Sequence, residues 1–278
     1  MRYCVTGAGG YLGRGVVAAL LDCGEEVIAV DRSLEGVDSR ATALEADVLS
    51  LEEPYRELGK PEAVLHLAWR NGFKHNDPSH IGELDGHCRF IEALAASPID
   101  RFAVMGSMHE TGYHEGAVRA DTPCFPLSRY GVAKNALRDF SFMVAREHNV
   151  PCQWLRGFYI VDGDPRGSSI FAKLSASALA GEEVFPFTSG KSEYDFLDYD
   201  EFCIKVAAAV TQSRYDGIIN ICSGKHEPLK TRVERFISEH GYRIELDYGA
   251  YPDRPYDSPA IWGDSTIIDE IVRTRSGQ

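Results

Sequence analysis

Short apolar runs and longer amphipathic stretches alternate along the first 160 residues of the chain. The runs 2–6, 26–30, 42–46, 63–67, 101–106 and 152–157 are too short for buried helices and break off at small or polar residues, which predicts strands. Between them, 11–23, 51–58, 79–97 and 127–148 carry apolar residues at helical spacing. This rhythm predicts an α/β fold with a doubly wound parallel sheet. The run Ala63-Val-Leu-His-Leu-Ala68 is apolar on both faces, as a central parallel strand requires. Past residue 160 the pattern loosens. Helices are predicted at 167–181, 199–212 and 229–240, with short strands at 217–222 and 242–246, and Gly and Pro punctuate the rest.

The corner after the first run carries the strongest local signal. Residues 6–13 read Thr-Gly-Ala-Gly-Gly-Tyr-Leu-Gly. Gly7 allows a tight turn, Gly10 lets the backbone approach a ligand, and Gly13 lets the helix lie close to the sheet. Such a turn aims backbone N–H groups and a helix N-terminus at a diphosphate. An ordinary strand–helix corner would use the same glycines, so context decides. The following helix stops at Gly24, and the second run ends at Asp31, 18 residues after Gly13. That spacing suits a carboxylate that binds the adenosine ribose hydroxyls of a dinucleotide. The predicted cofactor contacts here are Gly7, Gly10, Tyr11, Leu12, Gly13, Asp31 and Arg32. Asp31 favours NAD because a carboxylate repels a 2′-phosphate, and Arg32 beside it leaves NADP open. The predicted organisation is a dinucleotide-binding Rossmann domain over 1–160. Residues 161–278 would form mainly a smaller, partly interleaved C-terminal substrate lobe, with some segments returning to the core.

Composition narrows the partners. A net charge of −13 opposes nucleic-acid binding. No apolar run reaches membrane-spanning length, and Met1-Arg-Tyr-Cys-Val5 does not read as a signal peptide. Seven scattered cysteines with no C-x-x-C pair suit reduced core thiols of a cytoplasmic protein. The histidines form no convincing metal set. His75, Asp77 and His80 are close in a polar loop but lack a further ligand cluster.

Tyr130 and Lys134 stand at i and i+4 in a predicted helix, so they share a face. A free phenol, with a pKa near ~10, is a poor proton donor and acceptor at neutral pH. An ammonium about 4 Å away, at an effective dielectric of about 20, favours phenolate by roughly 4 kcal/mol before desolvation. A solvent-facing pair would show the same spacing. Ser107 favours the chemical reading: it directly follows the run 101–106, at the sheet end where α/β proteins bind ligands. Its hydroxyl is suited to hold a carbonyl oxygen while Tyr130 transfers the proton.

At this point the chain resembles the extended short-chain dehydrogenase/reductases, also called the NAD-dependent epimerase/dehydratase family. The resemblance rests on the glycine turn, Asp31, Asp47-Val48, Leu67-Ala68, Gly106-Ser107 and Tyr130-x-x-x-Lys134. Further segments carry it too: Leu155-Arg156-Gly157-Phe158, Asp162-Gly163-Asp164-Pro165, Tyr194-Asp-Phe-Leu-Asp-Tyr-Asp200 and Arg254-Pro255-Tyr256-Asp257. It implies a catalytic triad of Ser107, Tyr130 and Lys134. It also implies cofactor contacts from Asp47, Val48, Leu67, Ala68, Tyr130 and Lys134, and a substrate diphosphate contact from Arg254. Ser107, Met108 and Tyr159 complete the candidate substrate contacts, and His109 is a candidate second proton donor. Two departures matter. Tyr159 stands where the family usually carries Asn, and Met108-His109 replaces the Asp-Glu pair of the 4,6-dehydratases, which argues against dehydration.

The implied activity is an NAD(P)-dependent reductase or dehydrogenase acting at C4 of a nucleotide-activated 4-keto-6-deoxyhexose. A nucleotide-sugar 4-epimerase, a dehydrogenase of a free sugar acid and a non-catalytic dinucleotide-binding protein are the alternatives. The resemblance also implies a homodimer through the helices 79–97 and 127–148, although either apolar face suits packing on the sheet equally.

Overall fold

In the computed structural model of the protein, which describes residues 1–253 and 258–276, the first strand alternates its side chains between two layers. Tyr3 and Val5 enter one buried cluster while Cys4 enters another. The neighbouring strands repeat the pattern: Leu65 and Met105 lie on the first face, Val64 and Val104 on the second. A strand apolar on both sides must be covered on both sides, which is why helices flank the sheet above and below.

The elements in chain order begin with β1 (Arg2–Thr6), α1 (Tyr11–Asp22), β2 (Glu26–Asp31), β3 (Thr42–Glu45), α2 (Pro54–Glu57), β4 (Ala63–His66), α3 (Ser79–Gly82), α4 (Leu84–Ala95) and β5 (Arg101–Ser107). Next come β6 (Gly116–Val118), α5 (Arg129–His148), β7 (Cys152–Gly157), β8 (Tyr159–Val161), α6 (Ile170–Leu179), β9 (Val184–Phe187), β10 (Glu193–Tyr194), β11 (Phe196–Asp198) and α7 (Tyr199–Thr211). The chain closes with β12 (Gly217–Ile221), β13 (Glu227–Pro228), α8 (Leu229–His240), β14 (Glu245–Tyr248), β15 (Ala260–Gly263) and α9 (Thr266–Ser276).

The main sheet runs β3-β2-β1-β4-β5-β7-β12 and every pairing in it is parallel. It is the predicted α/β, doubly wound arrangement. Helices α1, α7 and α9 cover one face with Val16, Leu20, Phe202, Val206 and Ile268, while α4 and α5 cover the other with Ile91, Leu94, Leu137 and Val144. A third cluster, including Phe171, Leu174, Phe187, Val233 and Phe236, joins α6, β9 and α8 beyond the carboxyl edge of the sheet. Smaller sheets, β13-β10-β15-β6, β11-β8 and β14-β9, surround it. No helix among the described residues is long and apolar enough to cross a membrane.

Three sequence expectations shift in detail. The helix expected over 79–97 divides at Glu83, next to Gly82, a poor helix former. The one expected over 51–58 shrinks to Pro54–Glu57, because Pro54 fits a first helical turn and not an interior. The strand expected at 242–246 lies instead at Glu245–Tyr248, paired with Val184–Phe187.

Candidate active site

The strand order reverses beside β1: the chain fills β2 and β3 on one side, then crosses to β4 on the other. The crevice that results at the carboxyl ends of β1 and β4 is where open α/β sheets bind ligands. A cleft of about 1210 Å³ opens there.

The glycine turn forms one end of the cleft. Gly7 has φ +71°, and a Cβ on it would sit 2.6 Å from the Ala68 nitrogen, so only glycine fits. A Cβ at Gly13 would sit 2.1 Å from the Gly7 oxygen, which keeps α1 tight on the turn. At Gly10, by contrast, the nearest atom to such a Cβ is the Gly7 oxygen at 3.1 Å, and the missing side chain leaves room on the cleft side. Gly10 caps α1 without a side-chain hydrogen bond, and no acidic residue stands in the first turn. The first N–H groups of the helix therefore keep their positive field for an anion. Tyr11 and Leu12 line the cleft next to them. Asp31 ends β2 with its carboxylate accepting from Gly9 N–H at 3.1 Å and Arg32 N–H at 2.7 Å. Two bonds leave lone pairs on both oxygens for ribose hydroxyls. Asp47 accepts from Leu49 N–H at 3.1 Å, and Val48 is buried beside it. Arg32, Asp47, Val48, Leu67 and Ala68 all line this half of the cleft. The residues present thus fit a dinucleotide: an uncapped helix N-terminus, an open glycine and a carboxylate follow one another along one wall.

The other predicted group converges deeper in the same cleft. Ser107, at the end of β5, is buried and lies within hydrogen-bonding reach of the Tyr130 phenol. Ser128 caps α5 by accepting from Gly131 N–H at 3.1 Å, which fixes the turn that carries Tyr130. Lys134, one turn on, is buried and donates from Nζ to the Met105 carbonyl at 2.8 Å. Its Nζ stands 6.0 Å from the Tyr130 ring centre. The pairing differs from the sequence expectation in its electrostatics. Burial pushes the Tyr130 phenol up to about 12, the Glu110 charge adds to this, and only Ser107 opposes it. Burial pulls Lys134 down to about 7, with Glu110 opposing. Helical spacing puts the two on one face but does not say that the amine is turned onto a carbonyl.

Sequence reasoning missed the groups that hold this end together. Glu110 is fully buried in the turn after β5, and its Oε1 accepts from Trp154 Nε1 at 2.9 Å, Arg156 Nε at 3.1 Å and Ser107 N–H at 3.3 Å. A second network runs behind Lys134. Thr6 Oγ1 bonds to His66 Nδ1 at 2.7 Å, and His66 Nε2 bonds to His87 Nδ1 at 2.9 Å. Burial and the neighbouring Lys134 hold both rings neutral, with His87 pulled down to about 3. Trp69 and His75, from the loop after β4, line the cleft beside them.

On the open side, the His109 ring lies 4.2 Å from that of His75, 6.2 Å from Tyr130 and 6.1 Å from Tyr159. Met108 and Tyr159 line the same wall, and Tyr159 packs at 4.4 Å on Tyr194. Lys173, Thr188 and Lys191 line the far end. Arg254 lies outside the described residues.

Comparison with known proteins agrees with this architecture. The family model described as the NAD dependent epimerase/dehydratase family matches residues 3–222. The chain belongs to the NAD-dependent epimerase/dehydratase family. It is an enzyme of the extended short-chain dehydrogenase type. It is similar to the dTDP-6-deoxy-L-talose 4-dehydrogenase (NAD(+)) of Aggregatibacter actinomycetemcomitans, 40% identical over 95% of this chain and 99% of that protein. The dTDP-6-deoxy-L-talose 4-dehydrogenase (NAD(P)(+)) of Kitasatospora kifunensis is 25% identical over 91% of this chain and 83% of its own length. In fold, the chain matches the UDP-glucose 4-epimerase of Thermotoga maritima with a TM-score of 0.83 at 24% identity, over 97% of this chain and 92% of that one.

Proposed function

We propose that this protein is an NAD-dependent oxidoreductase that interconverts the C4 alcohol and C4 ketone of a dTDP-linked 6-deoxyhexose, working as a reductase of the ketone. The observation that carries the reading is that Ser107, Tyr130 and Lys134 all line the one cleft whose other end is the open glycine turn. The 40%-identical relative named for dTDP-6-deoxy-L-talose supports the sugar and the carbon at which it reacts.

Gly7 to Gly13 and the N-terminus of α1 would hold the cofactor diphosphate, Asp31 the adenosine ribose, and Asp47 and Val48 the adenine. Lys134 would hold the nicotinamide ribose. When bound, the reduced cofactor supplies a hydride to the carbonyl carbon. Ser107 donates a hydrogen bond to the carbonyl oxygen, and Tyr130 gives that oxygen its proton as the carbon becomes tetrahedral. A phenol pushed up to about 12 is fully protonated at neutral pH and starts in the form that reduction needs. Met108, His109 and Tyr159 form the wall against which the sugar lies. With Met108 and His109 in place of an acid–base pair, the wall has no carboxylate to drive elimination.

The test is incubation with NADH and a panel of nucleotide-linked 4-keto-6-deoxyhexoses, reading nicotinamide absorbance and then identifying the sugar. Oxidation of NADH with the dTDP-linked ketone and formation of its C4 alcohol is the expected result. No oxidation with any of these sugars, together with epimerisation of a UDP-hexose, would overturn it.

A further inference from the structure

Lys134 does not meet Tyr130 directly; it meets an aromatic ring from another segment. Trp69 stands three residues beyond the end of β4 and lines the cleft. Lys134 Nζ lies 3.8 Å from the centre of its ring. The indole is locked in place. Its Nε1–H donates to His80 Nδ1 at 3.0 Å, and His80 Nε2 in turn bonds with the Lys74 carbonyl at 3.0 Å. The His87 ring stacks on the indole at 4.5 Å with the planes 18° apart, and His87 is tied through His66 to Thr6 of β1. A surface tryptophan needs no such scaffold.

We propose that Trp69 is a positioning residue for Lys134: its ring face, clamped by His80 and His87, holds the amine in place and favours its charged form through a cation–π contact. Desolvated contacts of this kind are the stronger ones, and Trp is the best aromatic partner. The setting makes the contact matter. Burial opposes the ammonium, and few groups near it favour it. From its own helix Lys134 faces the uncharged Tyr130; from β4 and α4 it faces His66 and His87, both held neutral; from the turn after β5 it feels Glu110, whose charge favours the ammonium. The Met105 carbonyl on β5 accepts a hydrogen bond from its Nζ. An amine poised near neutrality changes its charged fraction with any small loss of support, and the ring face is one of three supports. The consequence for cofactor binding rests on the function proposed above, but the contact itself does not.

The test reads the amine and not turnover. Short pulses of acetic anhydride across a pH series, followed by peptide mass spectrometry, give the midpoint at which Lys134 becomes acylable in the whole protein. In Trp69→Leu the midpoint should fall by about one pH unit, since the charged form loses its ring face. Trp69→Phe, which keeps a face, should restore most of the difference. If Trp69→Leu does not fold by circular dichroism, Trp69→Met takes its place, refilling the volume without a ring. An unchanged midpoint in the ring-free variant, or an equal fall in Trp69→Phe, would overturn the proposal and leave Trp69 as packing alone. A failure of the sugar assays would not move this titration.

Discussion

Glu110 offers the sharpest structural prediction, because its removal breaks something the chain cannot repair by hydration. Glu110 and Arg156 are both fully buried, and their contact of 3.1 Å is not screened by solvent. Replacing Glu110 with Ala leaves the Trp154 indole N–H without its acceptor and, among the described residues, leaves Arg156 with its Arg119 carbonyl contact at 2.9 Å and a distant Cys124 Sγ at 3.9 Å. Loss of one partner of a buried pair costs about 3–5 kcal/mol, because an uncompensated charge remains. In a chain of this size that lowers the melting temperature by roughly 5–9 °C. Glu110→Gln keeps an acceptor for the indole and removes only the charge, so its loss should be smaller. The assay is thermal unfolding followed by circular dichroism, repeated in urea to obtain the free-energy difference. Turnover should fall as well, since Ser107 N–H loses one of its anchors. A Glu110→Ala protein that melts within about 2 °C of the parent would refute the reasoning, because the expected penalty is several times larger.

Tyr130→Phe should reduce turnover by about 10²–10⁴-fold, the usual contribution of a positioned proton donor, while NAD binding measured by calorimetry persists. Lys134→Met should abolish most activity yet stabilise the fold by up to about 5 kcal/mol below neutral pH, because a buried amine resists the charge it carries when unfolded. Its depressed folded value of about 7, against 10.5 in the unfolded chain, makes that gain full below about pH 7. The gain should be lost as the pH rises towards 10.5, and urea titrations at two pH values check it. Asp31→Ala should lower the preference for NAD over NADP by about tenfold or more, read as the ratio of kcat/KM values, since a charge-assisted bond to ribose is worth about 1.5–3 kcal/mol.

The central sheet was legible because its strands are apolar on both faces. Ala63-Val-Leu-His66 could be nothing but interior, the glycine turn follows β1, and Asp31 and Ser107 close β2 and β5, strands whose positions the pattern marks. The short strands were not legible. Gly116–Val118 and Ala260–Gly263 pair with each other across more than half the chain, and three or four residues carry too little periodicity to announce a strand. At the site, Tyr130 and Lys134 were found by their spacing within one helix. The residues that set their electrostatics come from elsewhere: Trp69 and His87 from the segments around β4 and α4, Glu110 from a turn. A lone tryptophan or glutamate in a sequence carries no sign of which amine it will face. The expected lowering of the phenol by the amine failed for that reason, since burial acts on both groups and the Met105 carbonyl claims the ammonium.

The most direct measurement follows the hydride. With NADH deuterated at the transferable position of its nicotinamide and a dTDP-linked 4-keto-6-deoxyhexose as acceptor, the product sugar should carry a single deuterium at C4, and Tyr130→Phe should form almost none of it. A sugar product without deuterium, or equal labelling by the Tyr130→Phe protein, would contradict the account.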